Sequence, residues 1–146
     1  MCSSDLPVLR VKEFNNYLYP FKKTSIWAIS RSGGSLVVDK MIYGKGTCAG
    51  PSVAECGDKK LRFLSNYYEI EEFDGWKLTT MELPNKVKKV LKTINKTYAH
   101  RSVASNHEEE NEYRLTIPTG SSMVPNKVIV YNYRDKNFFI DRKSVV

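Results

Sequence analysis

Cysteine, histidine and long apolar runs are scarce in this 146-residue chain, and their scarcity excludes several classes of protein. Cys48 and Cys56 form no Cys-x-x-Cys pair, and the two histidines, His100 and His107, do not complete a ligand set. A structural zinc site needs about four ligands at short spacings. No apolar run approaches the roughly 20 residues that cross a bilayer as a helix. We therefore predict reduced cysteines, no metal, no cofactor and no membrane partner.

The charge balance is moderately basic. Lys and Arg number 23 against 16 Asp and Glu, which gives a formal net charge of +7. Such an excess fits a nucleic-acid or acidic partner, although many solvated domains carry as much. The charge alone does not select a function.

The two ends of the chain match translated sequencing adapter. Residues 141–146 are what GAT CGG AAG AGC GTC GTG encodes, and residues 1–6 match the end of the opposite adapter with its GTG taken as a start. We interpret both hexamers as adapter-derived and exclude them from the fold, as for any fusion scar. We expect one domain over residues 7–140, a fragment whose natural termini are missing.

Three successive stretches repeat one order of short segments, over residues 16–41, 52–78 and 102–140. The segments are rich in β-branched and aromatic residues, which is typical of strands. Between them lie turn sequences at 31–34, at Asp74-Gly75 and at 134–137. The pattern predicts a chain of antiparallel hairpins, and the almost unbroken run of β-branched and aromatic residues at 128–133 predicts a strand packed on both faces.

One segment, residues 84–96, departs from this plan. Val87, Val90, Leu91 and Ile94 fall at helical spacing, and Pro84 suits a first helical turn. The rest of the wheel is basic, and its lysines form a candidate interaction surface: Lys86, Lys88, Lys89, Lys92 and Lys96. A solvated outer face is the simpler interpretation of these lysines, with nucleic acid as the alternative.

Repeated small antiparallel sheets with Gly-rich hairpins predict an all-β fold, a partial β-propeller of about three blades with one short amphipathic helix inserted. Three blades are fewer than the roughly four to eight that close a propeller, so we expect exposed apolar sheet faces. The aromatic residues that we place on those end sheets are Tyr17, Tyr19, Trp27, Tyr131, Tyr133, Phe138 and Phe139.

The order of these segments resembles the propeller region of tailed-phage tail proteins. The family meant is the nozzle (tail tubular B) and the tail accessory or stabilisation proteins of short-tailed phages. The resemblance covers nearly all of residues 15–140, and it rests on the following segments: Asn16-Tyr17-Leu18-Tyr19-Pro20-Phe21, Gly46-Thr47-Cys48-Ala49-Gly50-Pro51-Ser52-Val53-Ala54, Leu61-Arg62-Phe63-Leu64-Ser65, Phe73-Asp74-Gly75, Asn111-Glu112-Tyr113 and Val130-Tyr131-Asn132-Tyr133. Arg114 departs from the pattern, because such strands often carry Trp there, and Phe138-Phe139 replaces a single Trp.

The resemblance implies a non-enzymatic virion protein. Proteins of this kind form a ring at the lower end of the portal and tail channel, where they retain the packaged DNA and join tail parts. The implied partners are other virion proteins (portal, adaptor, tail fibre or tip) and further copies in a homo-oligomeric ring. DNA in the tail lumen is a second implied partner, and the implied locations are the virion and, during assembly, the host cytoplasm.

An enzyme or sugar-binding module is the competing class, because propellers also carry glycoside hydrolysis by paired carboxylates. The candidates are Glu69, Glu71, Glu72 and Asp74, of which Glu69 and Glu71 would share one strand face. A solvated strand edge explains them equally well.

A second acidic cluster, Glu108 to Glu110 after His107, could chelate a hard cation. A solvated loop is the simpler interpretation of it.

Overall fold

The computed structural model describes residues 7–141, apart from the side chains of Lys40 and Met41. Residues 1–6 and 142–146 lie outside this range, so Asp141 is the one described residue of the two hexamers interpreted as adapter-derived, and it ends the last strand, paired with Val128.

Twelve strands form three four-stranded antiparallel sheets within residues 7–141, and in each sheet the strand order follows the chain. The first sheet contains β1 (Arg10–Phe14), β2 (Tyr17–Phe21), β3 (Ser25–Ser32) and β4 (Ser35–Tyr43). The middle sheet contains β5 (Ala54–Cys56), β6 (Lys60–Leu64), β7 (Ile70–Phe73) and β8 (Leu78–Thr80). The third sheet contains β9 (Val103–His107), β10 (Glu112–Ile117), β11 (Lys127–Asn132) and β12 (Asn137–Asp141). The predicted all-β class, built of antiparallel sheets with one short helix, is confirmed.

The middle sheet is packed on both of its faces. On one face Leu61, Phe63 and Phe73 form a cluster with buried residues of the first sheet, among them Tyr19 and Phe21. Their rings meet edge to face, with centroids 5.1 Å apart for both Tyr19–Phe73 and Phe21–Phe63. Such contacts add about 0.5–1.5 kcal/mol each beyond the apolar area they bury.

The opposite face of the middle sheet packs on the third sheet. Cys56, Leu64 and Ile70 belong to the same buried cluster as Tyr113 and Tyr131. Because alternate residues of a strand point to opposite faces, the middle sheet reaches one neighbour through Leu61 and Phe63 and the other through Arg62 and Leu64. The three sheets therefore stack face to face in chain order.

This stacking corrects the expectation for the end sheets. Tyr19, Tyr131, Tyr133 and Phe138 are buried inside the stack rather than on an outer face. Their strands belong to end sheets, but their side chains lie on the inner faces of those sheets. Phe139, directly after Phe138, points the other way and is 36% exposed.

The single α-helix within residues 7–141, α1 (Asn85–Lys92), is shorter than the predicted segment. Pro84 stands just before the helix, and Val87 and Leu91 are buried in the cluster between the middle and third sheets. Beyond the helix, Ile94 joins that cluster and forms an isolated β-bridge with Thr119. Pairing with the loop between β10 and β11 thus replaces the last predicted helical turn.

The link between the first and middle sheets is a tight junction over residues 46–52. Thr47 Oγ1 donates to the carbonyl of Leu64 at 2.8 Å, and Ser52 Oγ accepts from the Leu64 N–H at 3.0 Å. The Tyr113 hydroxyl, on the third sheet, donates to the carbonyl of Ser52 at 2.8 Å. A Cβ on Gly46 would overlap the Lys22 carbonyl oxygen. The junction thus holds the middle sheet by side-chain hydrogen bonds and needs glycine where two backbones meet.

Gly46→Ala is expected to lower the free energy of unfolding by about 2–3 kcal/mol, because the new methyl group must displace the backbone of Lys22. Urea denaturation followed by far-UV circular dichroism measures the change. Gly120→Ala is the control: no atom lies within 4 Å of its Cβ position, although its φ of +63° still strains an alanine. Equal losses in the two variants would contradict the backbone clash.

Candidate functional site

The five predicted lysines do not form one continuous surface in the structure. All five lysines, Lys86, Lys88, Lys89, Lys92 and Lys96, have exposed side chains. Lys88, Lys92 and Lys96 line one groove, whereas Lys86 lines a different cavity beside Lys136 and Tyr131. Lys89 lines neither of these two cavities.

The groove that contains three of the lysines has a volume of about 550 Å³ and combines basic and aromatic side chains. Tyr67 and Tyr68, from the loop between β6 and β7, also line it. The Lys96 ammonium lies 5.4 Å from the centre of the Tyr68 ring, within the range of a cation–π contact. Tyr68 adopts a left-handed φ of 61°. We call this feature the helix groove.

The helix groove is suited to anionic partners. Lysines spaced along a cleft attract polyanions, and exposed rings beside them offer stacking surfaces. Glu69 and Glu82 also line the groove, so the lysine charge there is partly balanced. The tyrosines were not predicted, because they are distant from the helix in sequence and nothing local marks them as its neighbours.

The four carboxylates considered for hydrolysis do not converge on one cleft. Glu71 is fully buried, and it accepts hydrogen bonds from Lys45 Nζ at 3.1 Å and from Thr80 Oγ1 at 2.9 Å. Glu69 is exposed just before the first residue of β7, in the helix groove. The expected sharing of a face by Glu69 and Glu71 therefore creates no paired acid and base.

The other two carboxylates lie apart from Glu71 and already have partners. Glu72 accepts from Lys60 at 3.0 Å and from Arg62 at 2.7 Å on the opposite face of β7. Asp74 accepts the backbone N–H groups of Lys77 and Trp76, and these bonds hold the pKa of Asp74 below its ordinary value. Its side chain shapes the turn between β7 and β8.

Arg62 forms a buried ionic cluster that the sequence did not reveal. Its side chain is 1% exposed, and its two terminal nitrogens donate to both oxygens of Asp58 at 2.9 and 2.7 Å. A further bond of 2.7 Å joins Nη2 to Glu72. Burial opposes the charge, but the hydrogen bonds that Arg62 donates to Asp58, together with the neighbouring Cys56 and the negative charge of Asp58, outweigh burial and raise the pKa of Arg62 above its ordinary value. The guanidinium therefore stays charged within the fold.

The same guanidinium joins two sheets. Its central carbon lies 4.9 Å from the centre of the Tyr131 ring, on β11 of the third sheet, and 5.5 Å from that of Tyr133, just after β11. The planar guanidinium can stack on rings while its edge forms ion pairs. Arg62 is thus charge-paired within its own sheet and stacked on the next one.

The two cysteines within the described range are free thiols. Burial raises the pKa of both Cys48 and Cys56 to about 11, with the nearby positive charge of Arg62 opposing part of that rise at Cys56. A thiol with so high a pKa is a weak nucleophile near neutral pH.

The acidic cluster at Glu108–Glu110 forms a short exposed turn between β9 and β10. Among residues 7–141, no three His, Cys, Asp or Glu side chains lie close enough to hold a metal ion. Over the same residues, no helix has the length and apolar character to cross a membrane.

No protein-family model matches the chain, and no curated protein matches it.

Arg62→Met is expected to lower the free energy of unfolding by about 3 kcal/mol, because Asp58 and Glu72 lose their buried partner. Arg62→Lys is the matched control: it keeps a charge but loses the bidentate geometry, so its loss should be smaller. Arg62→Met/Glu72→Met should recover part of the stability, since it also removes one stranded carboxylate. The urea midpoint measures all three, and an unchanged midpoint in Arg62→Met would contradict the assigned role.

Replacing the three groove lysines should weaken binding to a polyanion more than replacing three lysines elsewhere. Lys88→Glu/Lys92→Glu/Lys96→Glu is compared with Lys59→Glu/Lys77→Glu/Lys127→Glu. The control lysines are likewise exposed but line neither the helix groove nor the cavity beside Lys86. Both variants change the net charge equally, so only position distinguishes them. Elution from a heparin column in a salt gradient is the measurement. Elution of the two variants together would indicate a merely solvated helix face.

Proposed function

We propose that the chain is a β-propeller segment of a tail protein of short-tailed phages, of the nozzle or tail-accessory kind. In this role it has no catalytic activity, and it helps to close the portal–tail channel and to join tail parts. About three propeller blades correspond to the first, middle and third sheets, each a four-stranded antiparallel meander.

The observation that carries the proposal is the stacking of successive meanders in chain order. Propeller blades are four-stranded antiparallel sheets that follow one another along the chain and bury their faces against their neighbours. The middle sheet has this environment on both sides. A second support is the sequence order that resembles tail proteins, since its segments coincide with β2, β6, β10 and β11 and with the junction at 46–52.

The charge pairing of the buried and half-buried ionic side chains supports a structural role over hydrolysis. Glu71, Glu72 and Arg62 have their charges paired inside or at the edge of the stack. A hydrolase needs carboxylates facing one sugar-sized cleft with a free path to substrate. In this fold the same residue types fasten strands and sheets together.

The proposed partners are other virion proteins (portal, adaptor, tail fibre or tip) and further copies in a ring. The helix groove is the surface that we assign to an acidic partner subunit, because its lysines are exposed beside aromatic rings. DNA in the tail lumen is the alternative partner of the same lysines. The protein would act in the virion after assembly in the host cytoplasm.

The genes beside this reading frame provide the first test. Portal, terminase and other tail genes in the adjoining DNA would support the proposal. A neighbourhood of carbohydrate-metabolism genes would overturn it in favour of the glycosidase alternative.

Purified protein is expected to give no turnover on a panel of glycosides, esters and nucleotides, because Glu71 and Glu72 are charge-paired and face opposite sides of β7. Ser105 Oγ lies 3.0 Å from His107 Nε2, but this pair is exposed on β9. The decisive comparison is with Glu69→Gln/Glu71→Gln, and Glu109→Gln, in the exposed turn, is the control. Activity that survives in the control but disappears in the double variant would establish a hydrolase. Product release is measured with chromogenic leaving groups.

A further inference from the structure

The two junctions inside the stack use one repeated contact. Tyr19 on β2 meets Phe73 on β7 of the following sheet, and Arg62 on β6 meets Tyr131 on β11 of the following sheet. In each case a second-strand residue contacts a ring on the third strand of the next sheet. The centres involved lie 5.1 and 4.9 Å apart.

The strand registers show that these positions are equivalent. Arg62 is paired with Glu72, and the ring that receives Tyr19 is the next residue, Phe73. Arg114 is paired with Val130, and the ring that receives Arg62 is again the next residue, Tyr131. In both junctions the receiving ring is the residue that follows the strand partner of the arginine in its own sheet. Tyr19, Arg62 and Arg114 therefore occupy the same place in successive sheets.

Arg114 is the third member of this series, and it lies on the outer face of the third sheet. Its Nη2 donates to Glu112 at 2.7 Å and its Nε to the same oxygen at 2.9 Å, so the guanidinium is held as Arg62 is, by a carboxylate. Its side chain is 34% exposed. Beside it the same face carries Val103, which is 44% exposed, the partly exposed Phe139, and the buried Val130.

The outer face of the first sheet supplies the other half of such a junction. Phe73 and Tyr131 are paired with Leu61 and Tyr113, the residues just before Arg62 and Arg114. In the first sheet Ile29 holds the equivalent position, because it is paired with Leu18, the residue just before Tyr19. Around Ile29 the registers place more apolar side chains on this face, and those exposed there are Val11, Leu18, Leu36 and Val38. A recess of about 500 Å³, lined by Glu13, Leu18, Ile29, Arg31 and Leu36, opens on it.

We propose that two copies of this chain bind head to tail, the outer face of the third sheet on one copy packing against the outer face of the first sheet on the other. Arg114 would reach toward Ile29, and Glu13 in the recess supplies an opposite charge. The occupant is a second copy because the chain carries both halves of the junction that it already forms twice internally. Such an interface is heterologous, so it propagates unless the geometry closes a ring.

The inference rests on the junctions and is independent of the virion assignment. Catalytic turnover or an unrelated gene neighbourhood would remove the proposed function and leave this interface standing. Failure of association would remove the interface and leave the gene-neighbourhood test unaffected.

Sedimentation velocity and light scattering of the full chain test the interface. Arg114→Glu damages one face, and Leu18→Asp damages the other. Each variant alone should lose at least about tenfold in association constant. An equimolar mixture of the two should form a one-to-one dimer that grows no further, because one intact junction remains. Arg134→Glu and Trp76→Asp carry matched changes at exposed positions off both faces and outside the helix groove, and they should associate like the wild type.

A gain-of-function variant keeps the test independent of unfolding. Ile29→Tyr installs the ring that Phe73 and Tyr131 supply at the equivalent positions, and association should tighten about two- to fivefold. Wild-type chain that stays monomeric up to about 1 mM would overturn the proposal. So would a mixture of Arg114→Glu and Leu18→Asp that remains monomeric while the wild type associates, since that result requires another surface.

Discussion

The structure depends on one constraint: a four-stranded sheet of this composition has two apolar faces and cannot bury either of them alone. The middle sheet resolves the constraint completely, since Phe63 and Leu64, adjacent on β6, are both fully buried, on opposite sides. The first and third sheets resolve it on one side only. Apolar strand surface that no other sheet covers determines the rest of the structure. It sets the order of the stack, the position of α1 and the apolar character of the outer faces.

Charge is used inside this stack to direct apolar packing. A buried ion pair contributes little net stability compared with a well-packed apolar replacement, but a stranded buried charge is strongly unfavourable. Arg62 is therefore compatible only with an arrangement in which Asp58 and Glu72 reach its edge and the rings of the third sheet cover its plane. Glu71 imposes a similar requirement on the other face through Lys45 and Thr80. These charged groups therefore determine which faces of neighbouring sheets pack together more than they add to the free energy of unfolding.

Local sequence predicted the parts of the structure that local physics determines. Runs such as 128–133 became strands because β-branched and aromatic residues favour a pleated surface, and Asp74-Gly75 became a turn because the carboxylate binds the following N–H groups. β1 was missed because Arg10, Lys12 and Glu13 mask its alternation, and its identity as a strand comes from pairing with β2. The last turn of the predicted helix was lost because Thr119, remote in sequence, pairs with Ile94. The same limit applies to the candidate site: the lysines were visible as a pattern, whereas Tyr67, Tyr68 and the partners of Arg62 converge only in three dimensions.

Stacking in chain order has a consequence for how such a chain changes over generations. Each sheet is a unit of a few tens of residues whose principal packing is with its neighbours in sequence, so stability accumulates nearly unit by unit, as in other repeat proteins. Duplication or loss of one unit at an end alters a single junction and leaves the remaining ones intact. Tyr19, Arg62 and Arg114 hold equivalent positions. The residue that contacts the next sheet can therefore be a tyrosine or an arginine without a change in the backbone. Length and junction chemistry can therefore vary separately in this architecture.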